Sequence, residues 1–225
     1  LLARAARVAE RIGDHAARAT LLTFRGMEIM VRAPGRFEEG LALVEEALAE
    51  AELAGEPLPG MARGLAWAYV LDGRFELARR TIERAIVELG GSRHGRTLSD
   101  IYVSALYMRD RVDFWRGRFD LAEAGALATR DVGIRAGNRT VQSGCAATLA
   151  AVCFLRADYA EALHWAEISL AKAREVANPF GRRSEAALAM LSLYALGRDP
   201  GGRYADWFTS EIVPEGDVAM SLPLV

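Results

Sequence analysis

The chain has 225 residues, of which 52% are hydrophobic and 26% are charged, a balance typical of a folded domain rather than a disordered one. Its 28 basic and 30 acidic residues give a net charge of −2, so there is no basic surplus for a phosphate backbone and we expect no direct nucleic-acid partner. Charged residues interrupt every apolar stretch before the roughly 18 residues that a membrane span needs, so we expect no membrane partner either.

The helices predicted from apolar periodicity follow one another with only short breaks, most of them rich in Gly, Asn or Pro. A helical tail in residues 1–12 comes first. The predicted helices then cover, in chain order, 15–33, 37–54, 59–71, 75–89, 98–115, 119–136, 139–155, 159–176 and 182–196. No segment alternates in the way that a strand does, so the pattern indicates an all-α fold.

A turn signature recurs about every 40 residues. Its central residues are Gly35, Gly73, Gly117, Ala157 and Gly197, spaced by 38, 44, 40 and 40 residues. An aromatic residue follows two positions later in the first four copies, as Phe37, Phe75, Phe119 and Tyr159. Each unit is therefore predicted to consist of two helices joined by a short turn. Glycine in that turn adopts the left-handed conformation that ends the first helix.

Small residues also repeat at fixed distances after the aromatic residue. The position three residues later is Gly40, Ala78, Ala122 or Ala162, and the position ten residues later is Ala47, Ala85, Thr129 or Ser169. Both positions lie near the same helix face as the aromatic residue, so small side chains there let a neighbouring helix approach closely.

This pattern resembles the tetratricopeptide repeat. The second unit carries it best, at eight positions: Leu65, Ala66, Tyr69, Gly73, Phe75, Ala78, Ile82 and Ala85. With its period of about 40 residues, the chain is similar to the long-helix repeats of MalT-like, LuxR-type ATPase regulators and related adenylate cyclases. The resemblance implies an all-α, right-handed superhelical solenoid of antiparallel helix pairs over residues 1–197, with residues 198–225 as a C-terminal cap or tail. Trp207 and Phe208 are the expected material of that cap.

The third unit departs from the repeat pattern. Arg109, Asp110 and Asp113 stand where the pattern has Leu, Ala and Tyr, and the unit is four residues longer. Either the linker after Gly90 is long, or the first helix of the unit is extended by one turn and its register is shifted. The two carboxylates could form an acid pair in a groove, but we favour a solvated or ion-paired helix face.

Other chemical motifs have simpler explanations. Residues 90–97 resemble a phosphate-binding loop with Arg96 in place of Lys, but the preceding residues have helical spacing, whereas that loop must follow a strand. His15, His94 and His164 lie in separate units, so we expect no metal. With no cofactor motif and no catalytic constellation, we expect a protein that is not an enzyme.

The two cysteines, Cys145 and Cys153, stand eight residues apart, about 12 Å along a helix, which exceeds the roughly 7 Å limit of a disulfide. Free thiols fit a cytoplasmic location. Leu1 and Leu2 open no signal-peptide core, and we expect the chain to be a fragment of a longer protein.

The binding surface of such a solenoid is its concave face, lined by the first helix of each unit. Applying the repeat register to the first helices predicts a partner-binding set of arginines and aromatics: Arg25, Arg32, Arg63, Trp67, Tyr107, Arg111, Phe154 and Tyr194. Ile29 belongs to the same set. Tyr107, Arg111 and Phe114 of the third unit belong to it if the register of that unit is unshifted. Arginine and aromatic residues are enriched at protein interfaces. The alternative is that some of these aromatics pack between units.

The expected function is a protein–protein interaction module, which the resemblance assigns to bacterial signalling or transcription regulation. Its partner would be a protein or peptide, or another domain of the same chain. The alternative, also implied by the resemblance, is a sensor domain that binds a small-molecule inducer.

Overall fold

The computed structural model describes residues 11–33, 35–55, 59–91, 100–176 and 182–206, together with Ala5, Val8 and Ala9. Side chains are not described at 31–32, 59–60, 91 and 182. Within these ranges the chain forms nine helices of 13 or more residues and no strand, which confirms the all-α prediction. The helices are α1 (His15–Arg32), α2 (Phe37–Leu53), α3 (Pro59–Leu71), α4 (Phe75–Gly91), α5 (Asp100–Trp115), α6 (Phe119–Arg135), α7 (Arg139–Leu155), α8 (Tyr159–Glu175) and α9 (Arg182–Ala195).

The helix ends lie within two residues of the predicted ones because local side chains fix them. Asp14, Asn138 and Asp158 each cap the following helix, accepting hydrogen bonds from the backbone N–H of Ala17 (2.9 Å), Val141 (2.9 Å) and Glu161 (3.3 Å). Such a cap satisfies a backbone donor that has no partner inside the helix.

The turn signature has the backbone conformation that the sequence predicts. The central turn residues have φ of 86° at Gly35, 74° at Gly73, 71° at Gly117 and 69° at Gly197. Ala157, at the fourth copy, adopts the same conformation with φ of 61° despite its side chain. Because a Cβ atom makes the left-handed region unfavourable, this turn carries strain that the four glycine turns lack.

The helices form two compact units that meet in sequence between His94 and Gly95. Unit 1 contains α1 to α4, in which α1 packs on α2 and α3, and α3 also contacts α2 and α4. Unit 2 contains α5 to α9, in which each helix packs on the next, α5 packs on α7, and α7 packs on α9. Within each unit, first helices of successive pairs therefore lie side by side.

The repeated small positions are buried, as predicted. Ala78, Ala122 and Ala162 are fully buried, and Gly40 is buried at the equivalent position of α2. The second set is also buried: Ala47, Ala85, Thr129 and Ser169 are 0 to 2% exposed. These positions hold paired helices at short distance, which larger side chains would prevent.

The register of the third unit is not shifted. Helix α5 has 16 residues and α7 has 17, so α5 is not extended by a turn. Asp110 and Asp113 are buried at the positions equivalent to Ala66 and Tyr69. The additional residues of this unit consequently precede Asp100, in the stretch between α4 and α5.

The register of the first unit differs from the predicted one. A Cβ atom built on Gly26 would lie 2.5 Å from the backbone oxygen of Gly40, so these two glycines form the close contact between α1 and α2. Gly26 precedes Gly40 by 14 residues, whereas the equivalent Ala66 precedes Ala78 by 12. The first unit has two more residues between its contact points, which moves the side chains of α1 to other faces.

Candidate functional site

Gly64 of α3 shows which side of α1 faces α3. A Cβ atom built on Gly64 would lie 2.9 Å from Thr23 Cγ2 and 3.8 Å from Met27 Cγ, so these two side chains face α3. Arg25 lies two residues from Thr23, about 200° around the helix. Arg25 is exposed, but it points away from α3 and does not join Arg63, as the predicted register requires.

The corrected register of α1 also affects two other residues of the predicted binding set. Ile29, four residues after Arg25, lies on the same side of the helix as Arg25 and is only partly exposed. The side chain of Arg32 lies outside the described residues. Met27 occupies the position beside α3 that the repeat pattern predicts for Ile29. The signal that reveals this shift in the sequence is Gly26 itself, since a second small residue must oppose Gly40.

Among the described residues of α3, Arg63 and Trp67 lie on the side that is least buried. They are four residues apart and so lie on the same side of the helix, next to the contact that Gly64 makes with Met27. Arg63 is exposed and Trp67 is partly buried, although most other described residues of α3 are buried. We call Met27, Arg63 and Trp67 the inner face of unit 1.

The inner face of unit 2 begins with Tyr107 on α5. A Cβ atom built on Gly144 of α7 would lie 2.5 Å from Tyr107 Cζ, so the phenol ring rests directly on the backbone of α7. Ala147 and Ala151 follow Gly144 at intervals of three and four residues and continue the same side of α7. They form a strip of small residues beside Tyr107.

Arg111 lies one turn after Tyr107, on the same side of α5. Its guanidinium carbon is 5.9 Å from the ring centroid of Phe114 and 5.8 Å from that of Trp115. The two rings meet edge to face, with centroids 5.5 Å apart. These contacts hold the arginine over aromatic faces, where cation–π attraction limits its motion. Tyr107 and Arg111, with Gly144, Ala147 and Ala151, are called the inner face of unit 2.

The other aromatic residues of the predicted binding set differ in how far they are exposed to solvent. Phe114 is 7% exposed and packs with Ala122 and Val152. Phe154 is partly buried against the core of unit 2, with its ring centroid 5.4 Å from that of Tyr159. Tyr194 is 59% exposed on α9. Phe114 and Phe154 are therefore mainly packing residues, whereas Tyr194 is available to solvent.

The carboxylates of the third unit are buried, which corrects the expectation of a solvated face. Asp110 is 1% exposed and accepts hydrogen bonds from Arg109 Nη2 at 2.8 Å and Thr129 Oγ1 at 2.6 Å. Burial raises its pKa above the ordinary value, although Thr129 and Arg109 oppose that shift. Asp113 is 3% exposed, with Arg116 Nη1 at 3.8 Å. The ion-paired part of the expectation is correct for Asp110, which forms a structural network.

Gly125 explains how α6 accommodates this network. A Cβ atom at Gly125 would overlap the carboxylate of Asp110. The equivalent positions of the other second helices hold Leu43, Thr81 and Trp165, so the glycine accompanies the aspartate in this unit alone.

The two thiols are protonated at neutral pH, and the segment that resembles a phosphate-binding loop begins at the end of a helix. Cys145 and Cys153 are buried free cysteines. Burial raises the pKa of Cys153 to about 11 and raises that of Cys145 further, so both are thiols at neutral pH. Gly90 and Gly91 end helix α4, so the lookalike follows a helix rather than a strand; its remaining residues lie outside the described part.

No described group of three or more His, Cys, Asp or Glu residues could hold a metal ion. His15 instead pairs with Glu50, with Nδ1 2.7 Å from Oε2. Among the described helices, none is both long and apolar enough to span a bilayer.

The described part of the C-terminal segment packs on unit 2. Tyr204 is 4% exposed within the core that contains Leu193, and its hydroxyl donates to Glu167 Oε1 at 3.0 Å. Arg203 Nη2 lies 2.6 Å from the same oxygen. Tyr204 thus covers apolar surface near α9; Trp207 and Phe208, proposed for this role from the sequence, lie outside the described residues.

Comparisons with known proteins bear on the fold only. No protein-family model matches the chain, and no curated protein matches it. A crystal structure of BtubC (BKLC) from P. vanneervenii is similar, with a TM-score of 0.69 and 17% identity over 93% of this chain and 89% of BtubC. The likeness is one of fold. At this identity it carries no function, because one helical architecture serves many unrelated roles.

Proposed function

We propose that this chain is a non-catalytic, tetratricopeptide-like module that binds a protein or peptide segment on the inner faces of its first helices. The proposal includes a right-handed solenoid of helix pairs, for which the 40-residue period and the side-by-side first helices within each unit are the support. The partner is a separate protein or another domain of the same chain, and no cofactor is required.

The observation that carries the proposal is the exposure of large interface-type side chains on otherwise buried helices. Arg63 remains exposed and Trp67 partly exposed on α3, and Tyr107 and Arg111 remain partly exposed on α5. Tyrosine, tryptophan and arginine are the residues that most often anchor protein interfaces. Burying them against a partner would remove apolar ring surface from water while leaving the helix packing intact.

The biological setting that we propose is a cytoplasmic signalling or transcription regulator of bacterial type. The support is the repeat pattern described above, together with free buried thiols of raised pKa, which suit a reducing compartment.

A small-molecule sensor is the second candidate, and one observation favours it. Tyr107, whose ring rests on Gly144, and Arg111 place an aromatic and a charged group on the same side of α5, beside the small residues of α7. Aromatic and polar groups converging on a recess are a common arrangement for small ligands. A ligand of that kind would bind with no contribution from Trp67.

A selection from a random twelve-residue peptide library displayed on phage tests the proposal. We expect the chain to enrich peptides whose affinity falls about 30-fold with Trp67→Ala, as for an interface anchor worth about 2 kcal/mol. Val87→Ala is the matched control, since Val87 is 73% exposed on the second helix α4 of the same unit. Failure to enrich any peptide, or equal loss in both variants, would contradict the proposal.

A further inference from the structure

We propose that copies of this chain associate head to tail, with an exposed side of α9 in one copy packing on an exposed side of α1 in a second copy. The contact repeats the one that α7 makes with α9 inside unit 2. This inference goes beyond the proposed function, because its partner is the chain itself and its surfaces are not the inner faces.

The first observation is a repeat position that is exposed on α1 and buried on later first helices. Gly26 of α1 is equivalent to Ala66 of α3. Phe24 is therefore equivalent to Gly64, the residue through which α3 contacts α1. Phe24 itself is 62% exposed. The same position, nine residues before the central turn residue, is only 0 to 7% exposed on α5, α7 and α9, as Met108, Thr148 and Leu188.

Phe24 continues an open apolar groove. Leu21 lies three residues earlier on the same side of α1, and it lines a groove of about 400 Å³ together with Val8 and Ile12. Val8 is 40% exposed and Ile12 is 69% exposed. The described lining of the groove is apolar apart from Asp14, whose carboxylate caps α1. Because terminal repeats of a soluble array usually have a polar outer face, this surface is better suited to contact with another first helix. We call Val8, Ile12, Leu21 and Phe24 the leading face.

The matching surface lies on α9. Leu191 and Tyr194 are three residues apart on one side of the helix and are 44% and 59% exposed. The same positions of α7, 40 residues earlier, are Ala151 and Phe154. Both of these pack against the buried cluster that contains Leu188 of α9. Helix α9 therefore exposes the side that α7 uses to cover α9. We call Leu191 and Tyr194 the trailing face.

The two faces together reproduce the packing of one first helix on the next. Leu188 belongs to the part of α9 that α7 covers, and Phe24 is its equivalent on α1. In the proposed contact, Leu191 and Tyr194 of one copy pack on Phe24 of the second copy, which removes apolar surface of both copies from water. Because the two faces are different surfaces, each pair of copies keeps one free face of each kind. Association therefore continues beyond two copies.

Sedimentation velocity of the full chain over a range of concentrations tests the proposal. We expect the weight-average mass to rise with concentration past the mass of two chains. Phe24→Glu and Tyr194→Glu should each weaken association at least tenfold, because each places a charge in an apolar contact. Val87→Glu is the matched control, since Val87 is 73% exposed on α4 and lies outside both faces. This variant should associate like the wild type.

A mixture of the two blocked variants tests whether the two faces meet each other. Phe24→Glu keeps an intact trailing face, and Tyr194→Glu keeps an intact leading face. An equimolar mixture should therefore form a dimer and no larger species, although each variant alone stays a single chain. Circular dichroism melting of each variant confirms that it is folded.

Four results would overturn the proposal. The first is a wild type that stays a single chain up to about 1 mM, the range of weak association. The second is a wild type that stops at two copies, which would indicate a symmetric dimer. The third is association that persists in Phe24→Glu and Tyr194→Glu, or that is lost equally in Val87→Glu. The fourth is a mixture of the two blocked variants that forms no dimer.

Discussion

Gly26 provides a sharp test of the packing described here, because it is the contact that resets the register of α1. A Cβ atom at this position would lie 2.5 Å from the backbone oxygen of Gly40 and 2.6 Å from Val44 Cγ2, closer than Cβ atoms approach other atoms in proteins. Helices α1 and α2 would have to separate to accommodate Gly26→Ala. Overpacking of this kind costs about 1–3 kcal/mol, whereas alanine gains about 1 kcal/mol in helix propensity.

We therefore expect Gly26→Ala to lower the free energy of unfolding by about 1 kcal/mol, or more if the helices resist separation. Urea denaturation followed by circular dichroism measures this change. Gly133→Ala is the matched control, since the nearest atom to its Cβ would be 3.4 Å away, an ordinary contact. That variant should be unchanged or more stable. Gly26→Ala with wild-type or greater stability would refute the close contact and, with it, the corrected position of Arg25.

Three further predictions address the turn, the buried network and a titrating carboxyl group. Ala157→Gly should raise the free energy of unfolding, measured by urea denaturation, by about 1 kcal/mol because glycine adopts a positive φ without strain. Gly137→Ala, at φ of 68°, should lower the free energy of unfolding by a similar amount. Opposite or absent effects would contradict the strain at Ala157. Gly125→Ala should destabilise the fold by about 1–3 kcal/mol because the added Cβ atom displaces the carboxylate of Asp110. Unchanged stability would show that Asp110 and its hydrogen-bond partners can shift to accommodate the Cβ atom. Burial raises the pKa of Glu185 to about 7, so the free energy of unfolding should fall as pH rises from about 4.5 to 7, by at most about 3 kcal/mol. Glu185→Gln should remove this part of the pH dependence. Equal pH profiles of the wild type and the variant would contradict the burial of Glu185.

Most of the secondary structure could be predicted from the sequence because its signals are local. Gly35, Gly73 and Gly117 mark turns that require positive φ, and Asp14 and Asn138 mark helix starts by accepting backbone hydrogen bonds. Each of these effects acts within a few residues, so no tertiary information is needed to recognise it.

The proposed binding surface is harder to predict because it depends on how the helices face one another. Counting back from Gly35 placed Arg25 beside Arg63, but the contact between Gly26 and Gly40 rotates α1 so that Met27 occupies that side. The two additional residues of the first unit have no local signature other than Gly26. Only the packing of α1 on α2 decides which of its faces remains open.

The buried network shows a second limit of sequence reasoning. Charged residues in a helix usually face solvent, so Asp110 and Asp113 were expected on a solvated or ion-paired surface. Asp110 is buried because Thr129 and Gly125 of another helix provide a donor and space. That compensation becomes visible only when the two helices are paired.

Carbene footprinting of the chain with and without a selected peptide maps directly where the peptide binds. We predict that labelling falls at Trp67, Tyr107 or both, on the inner faces of the first helices. It should stay unchanged at Val87 and Leu121, which are 73% and 51% exposed on second helices. Protection of Val87 or Leu121 without protection of Trp67 or Tyr107 would place the binding surface on the second helices and contradict binding at the inner faces.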